Sequence, residues 1–505
     1  MKLLTCFLFV FICSVCCKVA VKDKSTKSLN SLEDSKVKEL KNDENQDEET
    51  PATDTPKVDN GVALILTPYI EEGRLNEARE DSRVDRSLFF GYESYSGYFT
   101  VNKTYNSNSF FWYFPVVKKP VKKTPWVIWL QGGPGASSLT SLFNEIGPYK
   151  VTHKGNLLPY PHTWLQNHSL VFIDNPIGTG FSFTDSEDGY VHDMDTYGHH
   201  LYLTVKQLVT VYPELQTAPL YVAGESYAGK YVPALAMQLH RHKDDPDFNI
   251  NLQGLIVGNA YVDPEMISHM ARPFYYFGML EKEEIRAIQP LLTALSEDIA
   301  ANRSVEAKNR FMGLVSLLLY LSHQTHAYNF LEDRVVLENH EKFLNKPEIR
   351  KAIHVGDIIY TYVNITVNLK MAPDFLSSSK ALYEELLESY RVLTYCGNLD
   401  QMMPCVVTSE HYRTWKWSSS DDFIKAVRNP YMFKNRLAGY HKTGGNLTEL
   451  IIRGAGHMAP MDTPDQTAYF ITQWTHNEPL DQPIGSTIDL KYVEEYVKKL
   501  ILPTS

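Results

Sequence analysis

The feature that most constrains the fold of this chain is a series of short apolar runs, each followed by a glycine-containing turn. The runs are WVIWL before QGGPG, SLVFI before DNPIGTG, LYVA before GESYAG and LIV before GNAYVDP. The continuous apolar character of WVIWL is typical of a strand buried on both faces of a sheet. Repeated strand, turn and helix units predict a mostly parallel α/β sheet with functional loops at the C-terminal ends of its strands.

A long stretch of helix-forming sequence interrupts this pattern. Helix-compatible segments lie at 281–300, 305–321 and 378–389, and strand-like runs return at VLTYCGNLD and TELIIRGAGH. Because the chain leaves the sheet and comes back to it, we interpret the stretch as a cap inserted into one domain. The expected divisions are an α/β core at 61–262 and 391–478, a helical cap at 263–390 and a C-terminal extension at 479–505.

The N-terminus predicts entry into the secretory pathway. One lysine precedes an apolar run that ends at Cys17, too short to favour a membrane span over a cleaved signal peptide at 1–20. An uncleaved anchor is the alternative. Residues 21–60 are rich in charged and small polar residues, which predicts a disordered spacer or a removable pro-segment.

The composition and the sequons limit the partners and the cellular compartment that we expect for the protein. The formal charge of −11 argues against nucleic acid and anionic membranes as partners, and no stretch beyond the N-terminus predicts a stable membrane anchor. Five Asn-x-Ser/Thr sequons predict a glycoprotein, which with the signal peptide indicates a secreted or lysosomal protein. The sequons are at Asn102, Asn167, Asn302, Asn364 and Asn446.

The turn after LYVA predicts a nucleophile. Gly224-Glu225-Ser226-Tyr227-Ala228-Gly229 resembles the Gly-x-Ser-x-Gly elbow with one extra residue, and a helix-compatible segment follows it. Small flanking residues let the serine hydroxyl stand exposed at the helix N-terminus. We therefore predict that Ser226 is a catalytic nucleophile.

A nucleophilic serine needs a base and an orienting acid, and the late strands supply both in the expected chain order. Asp400 ends VLTYCGNLD, and His457 lies in the glycine-rich loop after the last strand. We predict that Ser226 attacks, that His457 transfers the proton, and that Asp400 fixes the imidazole tautomer and stabilises the imidazolium.

Stabilisation of the oxyanion requires two backbone donors. The residue after the nucleophile, Tyr227, supplies one of them. The glycine-rich turn at 131–135, directly after WVIWL, offers the second. Glycines allow the backbone to approach closely there, and Pro134 rigidifies the turn.

Five motifs together resemble the serine carboxypeptidases in order and spacing: WLQGGPGASSL, DNPIGTGFSF, GESYAGKYVP, VGNAYVDP and GAGHMAP. The resemblance runs from about residue 85 to 474, and the glutamine of LQGGPG resembles the vitellogenic carboxypeptidase-like branch. It implies an α/β-hydrolase fold with a mostly parallel central sheet and a helical cap insertion. The implied activity is removal of single C-terminal residues from peptides or proteins with a free C-terminus.

The resemblance also implies roles for further residues. The amides of Gly133 and Tyr227 would form the oxyanion hole, and Gln131, Glu145 and Glu225 would hold the substrate carboxylate, assisted by the Gly132 backbone. Two glutamates beside a carboxylate repel it unless one of them is protonated, so we expect activity to be favoured at acidic pH. Many relatives have asparagine where Gln131 stands, so this contact is made by a longer amide.

The remaining expectations concern the catalytic loops and the substrate pocket. Cys396 and Cys405 are the only cysteines beyond residue 17, so in an oxidising compartment we predict a disulfide between them, with two free buried thiols as the alternative. The resemblance implies that Met458 lines the pocket of the leaving residue, which favours hydrophobic substrates. We expect the aromatic stretch Phe274 to Phe277 to belong to the core.

Other functions remain open from the sequence. No HExxH or paired CxxC is present, and the adjacent His199 and His200 face apart on a helix, so we expect no metal and no cofactor. The same triad would serve an acyltransferase or esterase. A role as a binding or stabilising partner of another secreted protein is the non-enzymatic alternative. The oligomeric state is not predicted.

Overall fold

The computed structural model describes residues 61–335, 337, 339–480 and 490–501. The predicted signal peptide at 1–20 and the polar segment at 21–60 lie outside the described residues. No helix within the described ranges combines the length and the apolar character needed to cross a membrane.

The core is a ten-stranded sheet in the order β1-β2-β6-β3-β7-β8-β9-β12-β11-β10, and β4 pairs with β5 in a separate hairpin. Strands β6, β3, β7, β8, β9 and β12 are parallel, and the flanking pairs are antiparallel. The strands are β1 (Tyr95–Asn102), β2 (Ser107–Phe114), β3 (Trp126–Leu130), β4 (Tyr149–Val151), β5 (Leu157–Pro159), β6 (Ser169–Ile173), β7 (Leu220–Glu225), β8 (Leu252–Gly258), β9 (Arg391–Gly397), β10 (Asn429–Phe433), β11 (Arg436–Gly444) and β12 (Leu447–Ile452).

Helices pack around the sheet and form the cap. The α-helices are α1 (Thr67–Glu71), α2 (Leu75–Asp81), α3 (Leu139–Asn144), α4 (Met194–Val211), α5 (Glu214–Thr217), α6 (Ala228–Arg241), α7 (Ala271–Tyr276), α8 (Lys282–Ala300), α9 (Ser304–Leu321), α10 (His340–Leu344), α11 (Pro347–Ala352), α12 (Ile365–Lys370), α13 (Lys380–Leu386), α14 (Cys405–Tyr412), α15 (Ser420–Lys425), α16 (Ala459–Asp462), α17 (Pro464–Thr475) and α18 (Leu490–Ile501). Short 3₁₀ helices lie at Arg86–Leu88, Val121–Lys123, Trp164–Gln166, Glu187–Gly189, Pro264–His269 and Pro373–Leu376.

The apolar runs of the sequence form the buried centre of the sheet. Every residue of β3, β6 and β7 is buried, as expected for central strands that are covered on both faces. Large aromatic side chains fill the space between sheet and helices, with Trp112, Trp129 and Trp474 almost fully buried. This core holds the C-terminal ends of β3, β7, β8 and β9 side by side at one edge, where the predicted catalytic loops begin.

The stretch between β8 and β9 is helical, and one expectation about it is wrong. Phe274 is only 1% exposed, but Tyr275, Tyr276 and Phe277 are 38%, 68% and 54% exposed. The six-residue helix α7 lies at the surface, so it turns only part of this aromatic stretch inward. The ring of Phe277 instead lies 5.0 Å from that of Phe330.

Candidate active site

Ser226 lies at a sharp turn between β7 and α6. Its φ of +62° places a non-glycine residue in the left-handed region, as a nucleophile elbow requires. The backbone N–H of Ser226 donates to the carbonyl of Gly258 at 2.9 Å, and the Ser226 carbonyl accepts from the N–H of Tyr261 at 2.9 Å. These two bonds anchor the strained turn to the chain after β8.

His457 and Asp400 form a buried pair. His457 Nδ1 lies 2.8 Å from Asp400 Oδ2, and the two side chains are 3% and 0% exposed. Oδ1 of Asp400 accepts from the N–H groups of Met402 at 2.6 Å and Met403 at 3.1 Å. The turn after β9 thus surrounds the Asp400 carboxylate with backbone donors.

Asn259, at the end of β8, is a residue that the sequence analysis missed. Its Nδ2 donates to Asp400 Oδ2 at 2.6 Å, and its Oδ1 accepts from the N–H of Gly397 at 3.3 Å. It therefore holds both the Asp400 carboxylate and the start of the Asp400 loop. Its only sequence signal is its place in VGNAYVDP, directly after a predicted strand.

A segment of the predicted cap contacts both predicted catalytic loops; we call residues 327–330 the strap. The Tyr328 carbonyl accepts from the N–H of His457 at 2.6 Å, and the Ala327 carbonyl accepts from Gln401 N–H at 2.9 Å. The N–H of Phe330 donates to the Leu399 carbonyl at 3.2 Å. The strap thus contacts the Asp400 loop on both sides of Asp400 and the His457 loop at His457 itself.

Side chains reinforce the strap. The Tyr328 ring stands edge-on to the His457 imidazole with centroids 5.0 Å apart. Asp462 Oδ2 accepts from Asn329 Nδ2 at 2.9 Å and from the N–H of Gly456 at 2.7 Å. One carboxylate therefore joins the strap to the residue before His457.

Within the described residues, Ser226 Oγ makes no hydrogen bond to His457, whereas Asp400 and His457 are hydrogen bonded to each other. The hydrogen bond between nucleophile and base is often long until a substrate binds. Ser226 and Asp400 follow neighbouring parts of the sheet, because β7, β8 and β9 are adjacent and in parallel register, with Glu225 opposite Gly258 and Gly258 opposite Tyr395.

The predicted oxyanion loop packs directly on the elbow. A Cβ atom at Gly132 would lie 2.5 Å from Tyr227 N and 2.8 Å from Ser226 Cβ, so no side chain fits there. Gly133 has a φ of +112°, a conformation that favours glycine. The N–H groups of Gly133 and Tyr227 donate to no other group in the described residues, and both are therefore available to a ligand.

The three predicted carboxylate-binding side chains lie together behind this loop. Gln131 Nε2 lies 3.4 Å from Glu225 Oε1, and Ser141 Oγ lies 2.7 Å from both Gln131 Oε1 and Glu145 Oε1. Glu145 and Glu225 are 1% and 0% exposed. No cation pairs with either of them in the described part of the chain.

Burial and mutual repulsion favour protonation of the two glutamates. Desolvation is the main cause that raises the pKa of Glu145 to about 7. Desolvation also raises the pKa of Glu225 well above its ordinary value, and the neighbouring Glu145 adds to this rise. The pair therefore holds at least one proton at mildly acidic pH.

The hydrogen-bond donors around Ser141 agree with a protonated Glu145. Trp129 Nε1–H donates to Gln131 Oε1 at 3.1 Å, which fixes that atom as an acceptor. The single Ser141 proton cannot serve both Gln131 Oε1 and Glu145 Oε1. A proton on Glu145 Oε1 that is donated to Ser141 Oγ satisfies both contacts.

A disulfide joins Cys396 to Cys405, with Cα atoms 5.6 Å apart, and so closes the loop that carries Asp400.

Met458 is 4% exposed and directly precedes α16, next to His457. Its place in the pocket of the leaving residue stays a prediction.

The five sequons differ in how accessible they are. Asn302 is exposed, whereas Asn102, Asn167, Asn364 and Asn446 are half-buried. Nδ2 of Asn364 donates to the Gly178 carbonyl at 2.7 Å, and Nδ2 of Asn446 donates to the Leu387 carbonyl at 2.9 Å. A sugar on either of these two would compete with a structural hydrogen bond.

Known proteins resemble the chain over most of its length. A family model described as serine carboxypeptidase matches residues 87–477. The chain is 37% identical over 431 residues to venom serine carboxypeptidase of Apis mellifera, covering 83% of this chain and 92% of that protein. It is 38% identical over 447 residues to the probable serine carboxypeptidase CPVL of Homo sapiens, covering 85% and 93%. It is also 36% identical over 435 residues to vitellogenic carboxypeptidase of Aedes aegypti, and the match covers 83% of this chain and 91% of that protein.

A solved structure shares the fold. The prohormone-processing carboxypeptidase Kex1(Δ)p of Saccharomyces cerevisiae superposes with a TM-score of 0.70 at 22% sequence identity, covering 79% of this chain and 96% of that one. At this identity the likeness concerns the fold, an α/β-hydrolase architecture with a mostly parallel sheet.

Proposed function

Because the chain belongs to the serine carboxypeptidase family and is a serine-type peptidase, we propose that it removes single C-terminal residues from peptides through Ser226, His457 and Asp400. The observation that carries this proposal is the protonatable Glu145–Glu225 pair, placed with Gln131 directly behind the Gly132–Gly133 turn and the elbow. A site for a free carboxylate beside a nucleophile distinguishes a carboxypeptidase from an endopeptidase or an esterase.

The chemistry follows from the geometry of the site. Ser226 Oγ attacks the carbonyl carbon of the last peptide bond and gives its proton to His457, whose other ring nitrogen is held by Asp400. The Gly133 and Tyr227 N–H groups stabilise the oxyanion. His457 then protonates the leaving amine, the C–N bond breaks, and water hydrolyses the acyl-enzyme.

Substrate binding gives the reaction its acidic preference. Gln131 and a protonated glutamate of the pair donate hydrogen bonds to the terminal carboxylate of the peptide. When both glutamates are ionised, they repel that carboxylate. The apolar Met458 next to His457 supports a preference for hydrophobic C-terminal residues.

Two peptides that differ only at the C-terminus test the proposal. The free-acid peptide should lose residues one at a time below neutral pH, as read by mass spectrometry, and its amidated twin should be cleaved at least about tenfold more slowly. Ser226→Ala should abolish both reactions. Equal cleavage of the two peptides, or internal cuts, would refute the carboxylate site.

We also propose that the protein acts as a glycoprotein of the secretory pathway, either secreted or lysosomal. The N-terminal apolar run and the exposed sequon at Asn302 support this. Expression in animal cells, followed by N-glycanase, tests it. A mass shift that Asn302→Gln reduces is expected, and a protein retained in the cytosol without sugar would contradict it.

A further inference from the structure

Two carboxylates and a histidine meet at the place where the chain leaves the sheet for the cap. Asp263, Glu265 and His411 each offer one ligand atom, and the three atoms lie within 4.8 Å of one another. Asp263 and Glu265 directly follow the loop after β8, whereas His411 lies near the end of α14, 146 residues or more away along the chain. No sequence motif would have joined them.

His411 has an unused donor or acceptor. The residue is only 5% exposed, and its Nε2 is buried without a hydrogen-bond partner in the described residues. A buried polar nitrogen with no partner is costly, and native structures rarely leave one without a reason. A bound ion at this cluster would account for a histidine that faces two carboxylates.

The carboxylates also lack a cation. Neither Asp263 nor Glu265 forms an ion pair with a described residue, although two cations lie nearby. Lys380 Nζ donates to Thr414 Oγ1 at 3.0 Å and lies 4.0 Å from Glu384. Arg272 pairs with Glu410 at 2.6 Å. Within the described residues, no lysine or arginine therefore forms an ion pair with either carboxylate of the cluster.

Hydrogen bonds from neighbouring residues hold the Asp263 carboxylate in place. Asp263 Oδ1 accepts from the N–H of Glu265 at 2.8 Å, and Oδ2 accepts from Ser378 Oγ at 2.5 Å. Metal-binding carboxylates are commonly oriented by such outer hydrogen bonds. Each Asp263 oxygen keeps a further lone pair for an ion.

From this cluster we infer that Asp263, Glu265 and His411 form a zinc site at the base of the cap. We call this place the neck, where the outgoing chain at Val262 meets the returning chain at Ser379. Imidazole nitrogen and carboxylate oxygen are ordinary zinc ligands, and one histidine with two carboxylates leaves the fourth tetrahedral position to water. The ion would be structural, because the triad already supplies the chemistry of peptide hydrolysis. The site is independent of the proposed function.

The location gives the ion a mechanical role. At the neck, the outgoing chain at Val262 and the returning chain at Ser379 are hydrogen bonded at 2.9 Å. Zinc would fasten this neck to α14, the helix that begins at Cys405 just after the Asp400 loop. It would thereby link the base of the cap to the element that follows the catalytic aspartate.

Calorimetric titration of the full-length, chelator-stripped protein with Zn²⁺ at neutral pH tests the site. We expect one site of defined stoichiometry, and Glu265→Gln should weaken it by at least about tenfold, the loss typical even of outer contacts to a metal. Glu265 is exposed, so this variant should fold. Glu297→Gln, the same change at an exposed glutamate of the cap, serves as control and should bind like wild type.

Co²⁺ gives a second readout that does not depend on activity. Its absorption spectrum in the wild type should show a bound, low-symmetry ion, and His411→Gln should remove that signal while Glu297→Gln keeps it. Absence of Zn²⁺ binding in the wild type, or equal affinities in wild type and Glu265→Gln, would overturn the inference.

Discussion

Asp400 accepts four hydrogen bonds, and the donors come from three parts of the chain. Two are backbone amides of its own loop, one is His457 from the loop after β12, and one is Asn259 from the end of β8. Only the Asn259 contact can be removed without touching the loop backbone or the predicted triad. Asn259 is thus a positioning residue that acts through Asp400.

Asn259→Ala should lower kcat about tenfold or more, because a hydrogen bond to a charged group contributes about 1.5–3 kcal/mol. KM should change little, because Asn259 contacts Asp400 and not the predicted carboxylate-binding residues. Asn259→Asp, which places a second carboxylate against Asp400, should lower kcat further. Steady-state kinetics of the three proteins measures both constants.

Asn251→Ala is a matched control, since Asn251 precedes the opposite end of β8 and contacts the Thr217 carbonyl. It should leave kcat and KM unchanged. An equal loss of activity in Asn251→Ala, or a rise in KM that accounts for the loss in Asn259→Ala, would contradict the positioning role.

The raised pKa of Glu145, about 7, makes a prediction for substrate binding. Below this value Glu145 is neutral and does not repel the substrate carboxylate; above it Glu145 is ionised and repels that carboxylate. The KM of a free-acid peptide should therefore rise as pH increases through about 7, by up to tenfold per pH unit. Glu145→Gln, which stays neutral, should flatten this rise.

An ester or amide of the same peptide provides the comparison, because it carries no terminal charge. Its KM should vary little with pH in either protein. If Glu145→Gln kept the full rise in KM for the free acid, the proton that matters would not be the one shared by Glu145.

Among the elements, the strap is the one whose role depends most on tertiary contacts. It has no regular secondary structure, yet three backbone hydrogen bonds join it to the loops of Asp400 and His457. The contact between Asn329 and Asp462 adds a side-chain link. The strap, which belongs to the predicted cap, thus helps to arrange the loops that carry Asp400 and His457.

Asn329→Ala should lower kcat about three- to tenfold, the effect of one hydrogen bond of roughly 1 kcal/mol, with little change in KM. The reason is that His457 loses part of its support while the carboxylate site is untouched. Asn309→Ala, at an exposed position of α9, is the matched control. A change in KM alone would place Asn329 in substrate binding instead.

The helices of the cap show how much of the secondary structure the spacing of apolar residues predicts. The expected helices at 281–300 and 305–321 agree with α8 and α9, because their spacing of apolar residues repeats with the helical period. The predicted segment 378–389 is helical only over Lys380–Leu386. The aromatic stretch after Phe274 was misassigned, since hydrophobicity alone does not tell which face of a short surface helix turns inward.

For the whole molecule, the buried Glu145 links stability to pH. Its folded pKa is raised above the ordinary value of 4.5 to about 7, so the folded state binds the proton more tightly than the unfolded state. The stabilising effect is fully present below pH 4.5 and is lost as pH rises through about 7. A shift of this size corresponds to about 3 kcal/mol.

We therefore expect the free energy of unfolding of wild type, relative to Glu145→Gln, to fall by about 3 kcal/mol between pH 4.5 and pH 8. Taking the difference removes the contributions of titrating groups that do not contact Glu145, such as the buried His168 and Asp174. Urea unfolding of both proteins at each pH measures it. A difference independent of pH would mean that Glu145 keeps its ordinary pKa in the folded protein.

The sequence by itself determined the class of the fold, the position of its central parallel strands, and the family. These follow from local patterns: apolar runs, glycine turns, helical periodicity and motifs such as GESYAGKYVP. It also singled out Ser226, Asp400 and His457, because each stands directly after a predicted strand of a parallel sheet.

Only the tertiary structure decided which residues surround them. Asn329 and Ser141 lie in none of the five motifs, and Asn259 lies in VGNAYVDP without a role that the motif assigns to it. The partners of Asp400 are separated from it by 141 residues in one case and 57 in another. Such contacts depend on where strands and cap meet in space. The same holds for the raised pKa of Glu145, because it comes from burial and a neighbouring carboxylate, and neither can be read from the residues beside it in the chain.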